Sequence, residues 1–192
     1  MRKLFVLITS MSTALLAQTA FAHPEHDVAS GAMAGFMHPF TGLDHLVALM
    51  CLGALLAAAP VRVRWAGVAT LLLVLAVGAA VGIGGVTLPA SEWMIALSVL
   101  VAGMMLVRSD GTRPSLLLGG AAVFALFHGY AHGLESSGEA LAFVAGFLGA
   151  SFAVVMASML AAKLFVQRRA LRIAVAGGAA LTGLLLLSAL VF

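Results

Sequence analysis

The sequence predicts an all-α, polytopic membrane protein with six transmembrane helices after a cleavable signal peptide. Of the 192 residues, 63% are hydrophobic and only 9% are charged, whereas a soluble domain of this length needs more charge on its surface. The apolar residues gather into runs of about 20, the length that crosses a bilayer as a helix. Basic residues stand only between certain runs, and this asymmetry indicates the orientation in the membrane.

Residues 1–22 have the three parts of a secretory signal peptide. A positively charged start is followed by an apolar stretch that is shorter than a full span, and then by the small-residue cleavage site Ala20-Phe21-Ala22. An uncleaved first helix is the alternative. Cleavage leaves a mature chain of residues 23–192, which we predict to be a single helical transmembrane domain.

Six apolar spans follow in the mature chain, each near the ~20 residues that cross a ~30 Å hydrocarbon core. They are predicted at Thr41–Ala59, Trp65–Ile83, Ser91–Val107, Ser115–Leu134, Glu139–Val166 and Leu171–Val191. A shorter helix is predicted before the first of them, at Val28–Met37. The first span is therefore expected to be broken near Pro39.

The basic residues of the mature chain all lie in alternate connections between the spans. They are Arg62, Arg64, Arg108, Arg113, Lys163, Arg168, Arg169 and Arg172. Cytoplasmic connections are enriched in Lys and Arg, so these connections are predicted to face the cytoplasm. An exported start and six spans then place both ends of the mature chain in the periplasm, and the protein in a bacterial inner membrane.

Two clusters of metal-binding residue types stand before and at the start of the first span. The mature chain begins with a polar tail in which His23 and His26 are candidate accessory ligands, and an ordinary polar tail is the alternative. The second cluster comprises His38, Asp44 and His45. Because the first span enters from outside, this cluster is predicted at the periplasmic end.

The chain around Pro39 is predicted to break between residues 36 and 42, with His38 on the break, because proline pushes the preceding residue out of the helical region. Thr41 is predicted to cap the helix that follows. Asp44 then falls in the first turn, near the positive end of the helix. The alternative is that Asp44 serves only as a first-turn charge.

A second motif ends the fourth span, at residues 127–135 with the sequence FHGYAHGLE. At 100° per residue, His128, His132 and Glu135 fall within about 60° of one another and share one helix stripe. Two glycines four residues apart in this motif favour close approach of another helix. Polar groups at membrane depth are costly, so the stripe predicts a metal site, with a hydrogen-bonded helix contact as the alternative. Both motifs are predicted to reach the same face of the membrane.

The donor types limit the chemistry of this site. Imidazole and carboxylate together suit Ni²⁺, Co²⁺, Zn²⁺ or Fe²⁺. Cys51 lies in an apolar run and is predicted to be a core residue, and the methionines, which keep copper as an alternative, are expected to pack in the core as well. No phosphate-binding glycine loop is present, so ATP hydrolysis by this chain is not expected. The high pI comes from clusters between spans, so nucleic acid is not a predicted partner.

The two motifs resemble those of the HupE/UreJ family of nickel permeases, which are His-x5-Asp-His and Phe-His-Gly-x-Ala/Val-His-Gly-x-Glu. Here they stand as His38…Asp44-His45 and Phe127-His128-Gly129-Tyr130-Ala131-His132-Gly133-Leu134-Glu135. The resemblance implies uptake of Ni²⁺ for hydrogenase or urease maturation, with nickel as the transported ion and no tightly bound cofactor. It also implies a set of six metal-binding residues: His38, Asp44, His45, His128, His132 and Glu135.

Transport by facilitated diffusion or secondary transport through a lipid-embedded protein is the predicted function, and the protein is not predicted to be an enzyme. Another divalent metal such as cobalt is the first alternative. An integral-membrane metallohydrolase is the second, because His and acidic clusters in helical bundles can hold Zn²⁺ and activate water. Ser136 or Glu139 would then be the candidate base. A structural subunit that uses these polar groups for helix association is the third.

Overall fold

A computed structural model describes residues 31–107, 113–136, 139–165 and 168–191 of the chain. Within these ranges every regular element is an α-helix, which confirms the predicted all-α class. The predicted signal peptide at residues 1–22 and the accessory residues His23 and His26 lie outside the described ranges, so these predictions are not tested.

The described part of the chain forms seven helices. They are α1 (Gly31–Thr41), α2 (Leu43–Ala58), α3 (Val61–Ile83), α4 (Ser91–Val107), α5 (Pro114–Leu134), α6 (Ala140–Phe165) and α7 (Arg169–Ala189). The predicted third span coincides with α4, and the other spans agree with a helix to within a few residues at each end. Hydropathy and connection composition therefore suffice to place the helices.

The helices differ in their ability to cross a bilayer. Four of them, α3, α5, α6 and α7, are long and apolar enough for this. Helices α1 and α2 pass the same test only as a pair, and they are bent by 80° at the break between them. Helix α4 is a shorter apolar helix of 17 residues, about 25 Å long. The described residues thus contain four spans by length and composition, or five with the bent pair.

The bend between α1 and α2 confirms a helix break close to Pro39 but corrects its position. The break lies at Gly42, and His38 and Pro39 are helical residues in the last turn of α1. Proline disturbs a helix mainly by removing a bond to the residue four positions earlier, and this loss is small so near a helix end. Placing His38 on the break was therefore wrong.

The predicted cap at Thr41 was also wrong. The residue that precedes α2 is Gly42, in an extended conformation and without a side-chain cap. The Thr41 hydroxyl instead donates a hydrogen bond to the His38 carbonyl, at 2.7 Å. Thr41 therefore closes α1 rather than opening α2, and the carbonyl of Gly42 begins the hydrogen bonding of α2 by accepting from Leu46 N–H.

The basic ends of the helices gather at one end of the bundle. Helices α3 and α5 run side by side in the same direction, whereas α4 and α7 are antiparallel. Arg64, near the start of α3, donates hydrogen bonds to three backbone carbonyls at the end of α2. Arg113 precedes α5, and Arg168 precedes α7. The ends of α2, α4 and α6 thus lie with the starts of α3, α5 and α7.

Helices α3 and α5 pack through small residues, as the glycine spacing in the second motif predicts. A Cβ at Gly129 would overlap the backbone of Leu75, and one at Gly133 would overlap the carbonyl of Ala79. Gly78 of α3 approaches the α5 backbone in the same way. Within lipid the hydrophobic effect does not drive helices together, so close packing of their backbones stabilises the contact instead. This contact holds the end of α5, where the second motif lies.

We expect Gly133→Ala to lower the thermal stability of the purified protein, because its Cβ meets the backbone of Ala79 and not a movable side chain. Gly119→Ala is a matched control on the same helix, since nothing lies within 4 Å of its Cβ position. The control is expected to be neutral or stabilising by about 0.5–1 kcal/mol. Thermal unfolding in detergent measures both variants, and equal melting temperatures would contradict the close α3–α5 contact.

Candidate metal centre

The residues of both motifs meet at the end of the bundle opposite the basic residues. Each motif residue lies at a helix end: His38 in the last turn of α1, Asp44 and His45 in the first turn of α2, His128 and His132 near the end of α5, and Glu135 just after α5. The sharp bend at Gly42 brings the end of α1 and the start of α2 to the same place. Two motifs far apart in sequence therefore form one cluster.

Three of these residues form the outer part of the cluster. His38 Nε2 lies 2.6 Å from Glu135 Oε2, and one ligand atom from each of His38, His132 and Glu135 lies within 4.8 Å of the others. The side chain of Glu135 is 58% exposed and that of His38 is 27% exposed, whereas His132 is buried. The cluster therefore opens to the surface beside Glu135 and leads inward to His132.

His132 occupies the centre of the cluster. Its ring lies 4.7 Å from that of His38 and 4.3 Å from that of His45, and it stacks on Phe147 at 4.7 Å. Its Nδ1 atom is buried and has no hydrogen-bond partner. A buried nitrogen without a partner costs about 1–3 kcal/mol. A cation bound to this nitrogen would remove that cost.

Asp44 and His45 act as a pair. Asp44 Oδ1 accepts hydrogen bonds from the backbone N–H of His45 at 2.9 Å and from its Nδ1 at 2.8 Å. The carboxylate thus keeps the proton of His45 on Nδ1, so Nε2 carries the lone pair. Nε2 is buried and has no hydrogen-bond partner. A carboxylate behind a metal-binding imidazole commonly fixes the ring in this way.

His128 lies deeper, next to a serine that sequence reasoning missed. Its Nε2 is 2.7 Å from Ser98 Oγ on α4, and its ring is 4.6 Å from that of His45. The only proton of the Ser98 hydroxyl is donated to the Ile95 carbonyl at 2.6 Å, so Ser98 accepts from His128 Nε2–H. The lone pair of neutral His128 is then on Nδ1. A single hydroxyl inside an apolar span was the signal that could have found Ser98.

Two phenylalanines of α6 complete the wall of the cluster and were likewise not predicted. Phe143 contacts His38 edge-on at 5.4 Å between ring centres, and Phe147 stacks on His132. Both are fully buried. Aromatic residues in an apolar span give no sequence signal of such a role, because they are equally common as core or lipid-facing residues.

Comparison with known proteins agrees with this arrangement. The family model described as HupE / UreJ protein matches residues 11–186. The chain belongs to the HupE/UreJ family. It is 34% identical over 188 residues to "Protein HupE" of Rhizobium leguminosarum bv. viciae, with 94% of this chain and 96% of that protein covered. No solved structure matches the chain.

Family membership and the apolar helices together identify this HupE/UreJ protein as a multi-pass membrane protein. The cluster lies at helix ends rather than at the middle of the helices. Polar groups in such a position can exchange ions with water at one side.

The charge of the cluster depends on Glu135, which lies just outside the last turn of α5. The hydrogen bond from His38 is the main cause that holds the pKa of the Glu135 carboxyl below its usual value. Glu135 is therefore ionised at neutral pH and supplies a negative charge at the mouth of the cluster. A carboxylate in this place attracts cations to the cluster.

The donor set of this HupE/UreJ protein is imidazole and carboxylate. Cys51, the single cysteine of the chain, is buried in the apolar core and is not among the residues of the described cluster. Such nitrogen and oxygen donors suit borderline divalent cations such as Ni²⁺, Co²⁺ and Zn²⁺ rather than Cu⁺. The arrangement can therefore replace part of the water shell of such an ion at the surface.

Proposed function

We propose that this HupE/UreJ protein is an inner-membrane permease that takes up Ni²⁺ from the periplasm for the maturation of hydrogenase or urease. The family match supports a role in nickel or cobalt transport in general. One observation carries the proposal: His38, His132 and Glu135 converge beside two buried imidazole nitrogens, on His45 and His132, that have no hydrogen-bond partner. A transported cation supplies the missing partner for both.

The proposed ion site extends inward from the surface. Glu135 and His38 receive the ion, and His132 holds it at the centre. His45 and His128 lie deeper in the bundle, on the side of His132 away from Glu135. Asp44 acts mainly through His45, whose ring it orients by two hydrogen bonds. Binding must remain weak enough for release, and a half-exposed carboxylate at the mouth suits such exchange.

The proposed topology has six spans, with α1 and α2 together forming the first and α4 forming the third. The basic ends of the helices face the cytoplasm, in accordance with the positive-inside rule. The ion cluster, at the opposite end, then faces the periplasm, as do both ends of the mature chain. Residues 1–22 serve as a signal peptide, and His23 and His26 of the new N-terminus deliver ions to the cluster.

The proposed mechanism is facilitated diffusion, or secondary transport in which protons exchange through the same His and Glu groups. Ni²⁺ is the proposed substrate, and Co²⁺ is the second candidate because the same donors suit both ions. Uptake of radioactive nickel by cells that lack other nickel importers tests this. We expect the protein to confer saturable uptake that cobalt inhibits. No uptake by the correctly inserted protein would refute nickel as the substrate.

Acid is expected to weaken nickel binding. Nickel binds the lone pairs of neutral imidazoles, so protons compete with the ion for the histidines of the cluster. The hydrogen bond from His38 holds the pKa of the Glu135 carboxyl below its usual value, so this carboxylate stays ionised as the pH begins to fall. Affinity should fall as pH drops, by about tenfold per pH unit for each proton that the ion must displace.

Isothermal titration of the purified protein with Ni²⁺ at several pH values measures this effect. The number of protons released follows from repeating the titration in buffers of different ionisation enthalpy. An affinity that is constant or rises on acidification would contradict binding by neutral imidazoles.

A further inference from the structure

A cavity of about 60 Å³ lies directly beneath the histidine cluster. Its upper wall is formed by His45, His128 and His132 together with the hydroxyl-bearing residues Ser98 and Ser151. One water needs about 10–15 Å³ of such space, so the cavity has room for a few water molecules. Polar groups that can hold those waters are concentrated at this upper end.

The cavity extends from the cluster toward the basic end of the bundle. Along α2 its lining reaches from His45 to Leu55, about 15 Å of helix, and along α5 from His132 to Leu117, about 22 Å. These lengths cover much of a ~30 Å hydrocarbon core. The lining comes from α2, α3, α4, α5 and α6, so the cavity lies between the helices of the bundle.

The upper end of the cavity, which the histidines line, is called the histidine head. The lower part, toward the basic end of the bundle, is apolar instead. Leu55, Leu117 and Met105 line it there, and they bring no charged group. Between these residues and the histidines, α5 contributes small residues, among them Ala121, which leave space between the helices. An apolar lining of this kind can close a pore to ions by excluding water.

We propose that this cavity is the inner part of the ion route, hydrated at the histidine head and gated by the apolar residues Leu55, Met105 and Leu117. This inference rests on the proposed transport function and adds the path by which the ion leaves the cluster. The ion passes from His132 to the level of His128, where the oxygen atoms of Ser98 and Ser151 and a few waters replace its lost ligands. Widening of the apolar end then connects the cavity with the cytoplasm.

Cysteine accessibility tests the route without relying on transport activity. In a Cys51→Ala background, Ala121→Cys places a thiol in the cavity wall. Val123→Cys places one at nearly the same depth on the outer face of α5, where Val123 is 48% exposed. The protein in liposomes is treated with Ag⁺, a small cation that binds thiols, and then unfolded and labelled with a fluorescent maleimide. Loss of labelling reports that Ag⁺ reached the thiol.

We expect Ag⁺ to block at least about ten times more of the Ala121→Cys thiol than of the Val123→Cys thiol, and Ni²⁺ to slow the block, because a charged ion reaches hydrated sites and not lipid. Equal block of both thiols, or none at either, would overturn the proposed route. Ala102→Cys, which lines the cavity from α4, is the second variant if Ala121→Cys does not fold.

Nickel titration of the same variants separates the two proposals. If a variant binds Ni²⁺ but Ag⁺ does not block its cavity thiol, the proposed route is refuted and the proposed ion site is not. Absence of Ni²⁺ binding in the folded parent protein would instead refute the proposed function.

Discussion

Replacing His132 with alanine is expected to abolish nickel uptake and to weaken Ni²⁺ binding by at least about 100-fold, or about 2.7 kcal/mol. His132 lies between His38 and His45, with ring centres 4.7 and 4.3 Å away. Its removal therefore separates the outer part of the cluster from the inner part. The variant also loses a buried nitrogen that has no hydrogen-bond partner, which offsets part of the packing lost against Phe147.

Titration with Ni²⁺ and uptake by cells at matched membrane abundance measure the two effects. Leu134→Ala is the control at the same helix end, since Leu134 is 56% exposed and is not part of the cluster. The control should bind and transport like the parent protein. If His132→Ala instead disturbs assembly and leaves nickel binding intact, the histidines serve helix association and the permease account fails.

Replacement of Asp44 is expected to have the second largest effect. Asp44→Ala removes the acceptor that fixes the ring and the tautomer of His45, and loss of such a partner typically weakens metal binding by about 10- to 100-fold. Asp44→Asn should be milder. Its side-chain oxygen still accepts from the backbone N–H of His45, so the amide is oriented with its oxygen toward the ring.

The order of these two variants distinguishes two roles for Asp44. Titration with Ni²⁺ should give affinities in the order parent, then Asp44→Asn, then Asp44→Ala. If the asparagine variant is as weak as the alanine variant, the negative charge of Asp44 acts on the ion directly. That result would contradict a role through orientation of His45.

Much of the fold follows from the sequence because membrane spans obey a strong length rule. In lipid each apolar run must form a helix, because a helix pairs its own backbone groups, so the helices could be placed within a few residues. The positions of Lys and Arg predicted that both motifs reach the same end of the bundle. The structure brings His38 of the first motif to within 2.6 Å of Glu135 of the second.

Other features of the site depend on packing that no local pattern reports. The break lies at Gly42 because the helix tolerates Pro39 near its end, where little remains to be disrupted. A Cβ at Gly42 would approach the Asp44 carboxylate at 2.9 Å and the His45 ring at 3.0 Å, so glycine also leaves room for that pair. The role of Ser98 depends on which helix lies beside α5, and hydropathy cannot supply this information.

The most direct test of the account is nickel influx into liposomes that contain only the purified protein. The initial rate of radioactive nickel entry is measured for the parent protein and for His132→Ala, both shown to be folded. We expect saturable influx with the parent protein and none above protein-free liposomes with the variant. Influx that is absent for the parent, or unchanged in His132→Ala, would contradict the claim that this cluster admits the transported ion.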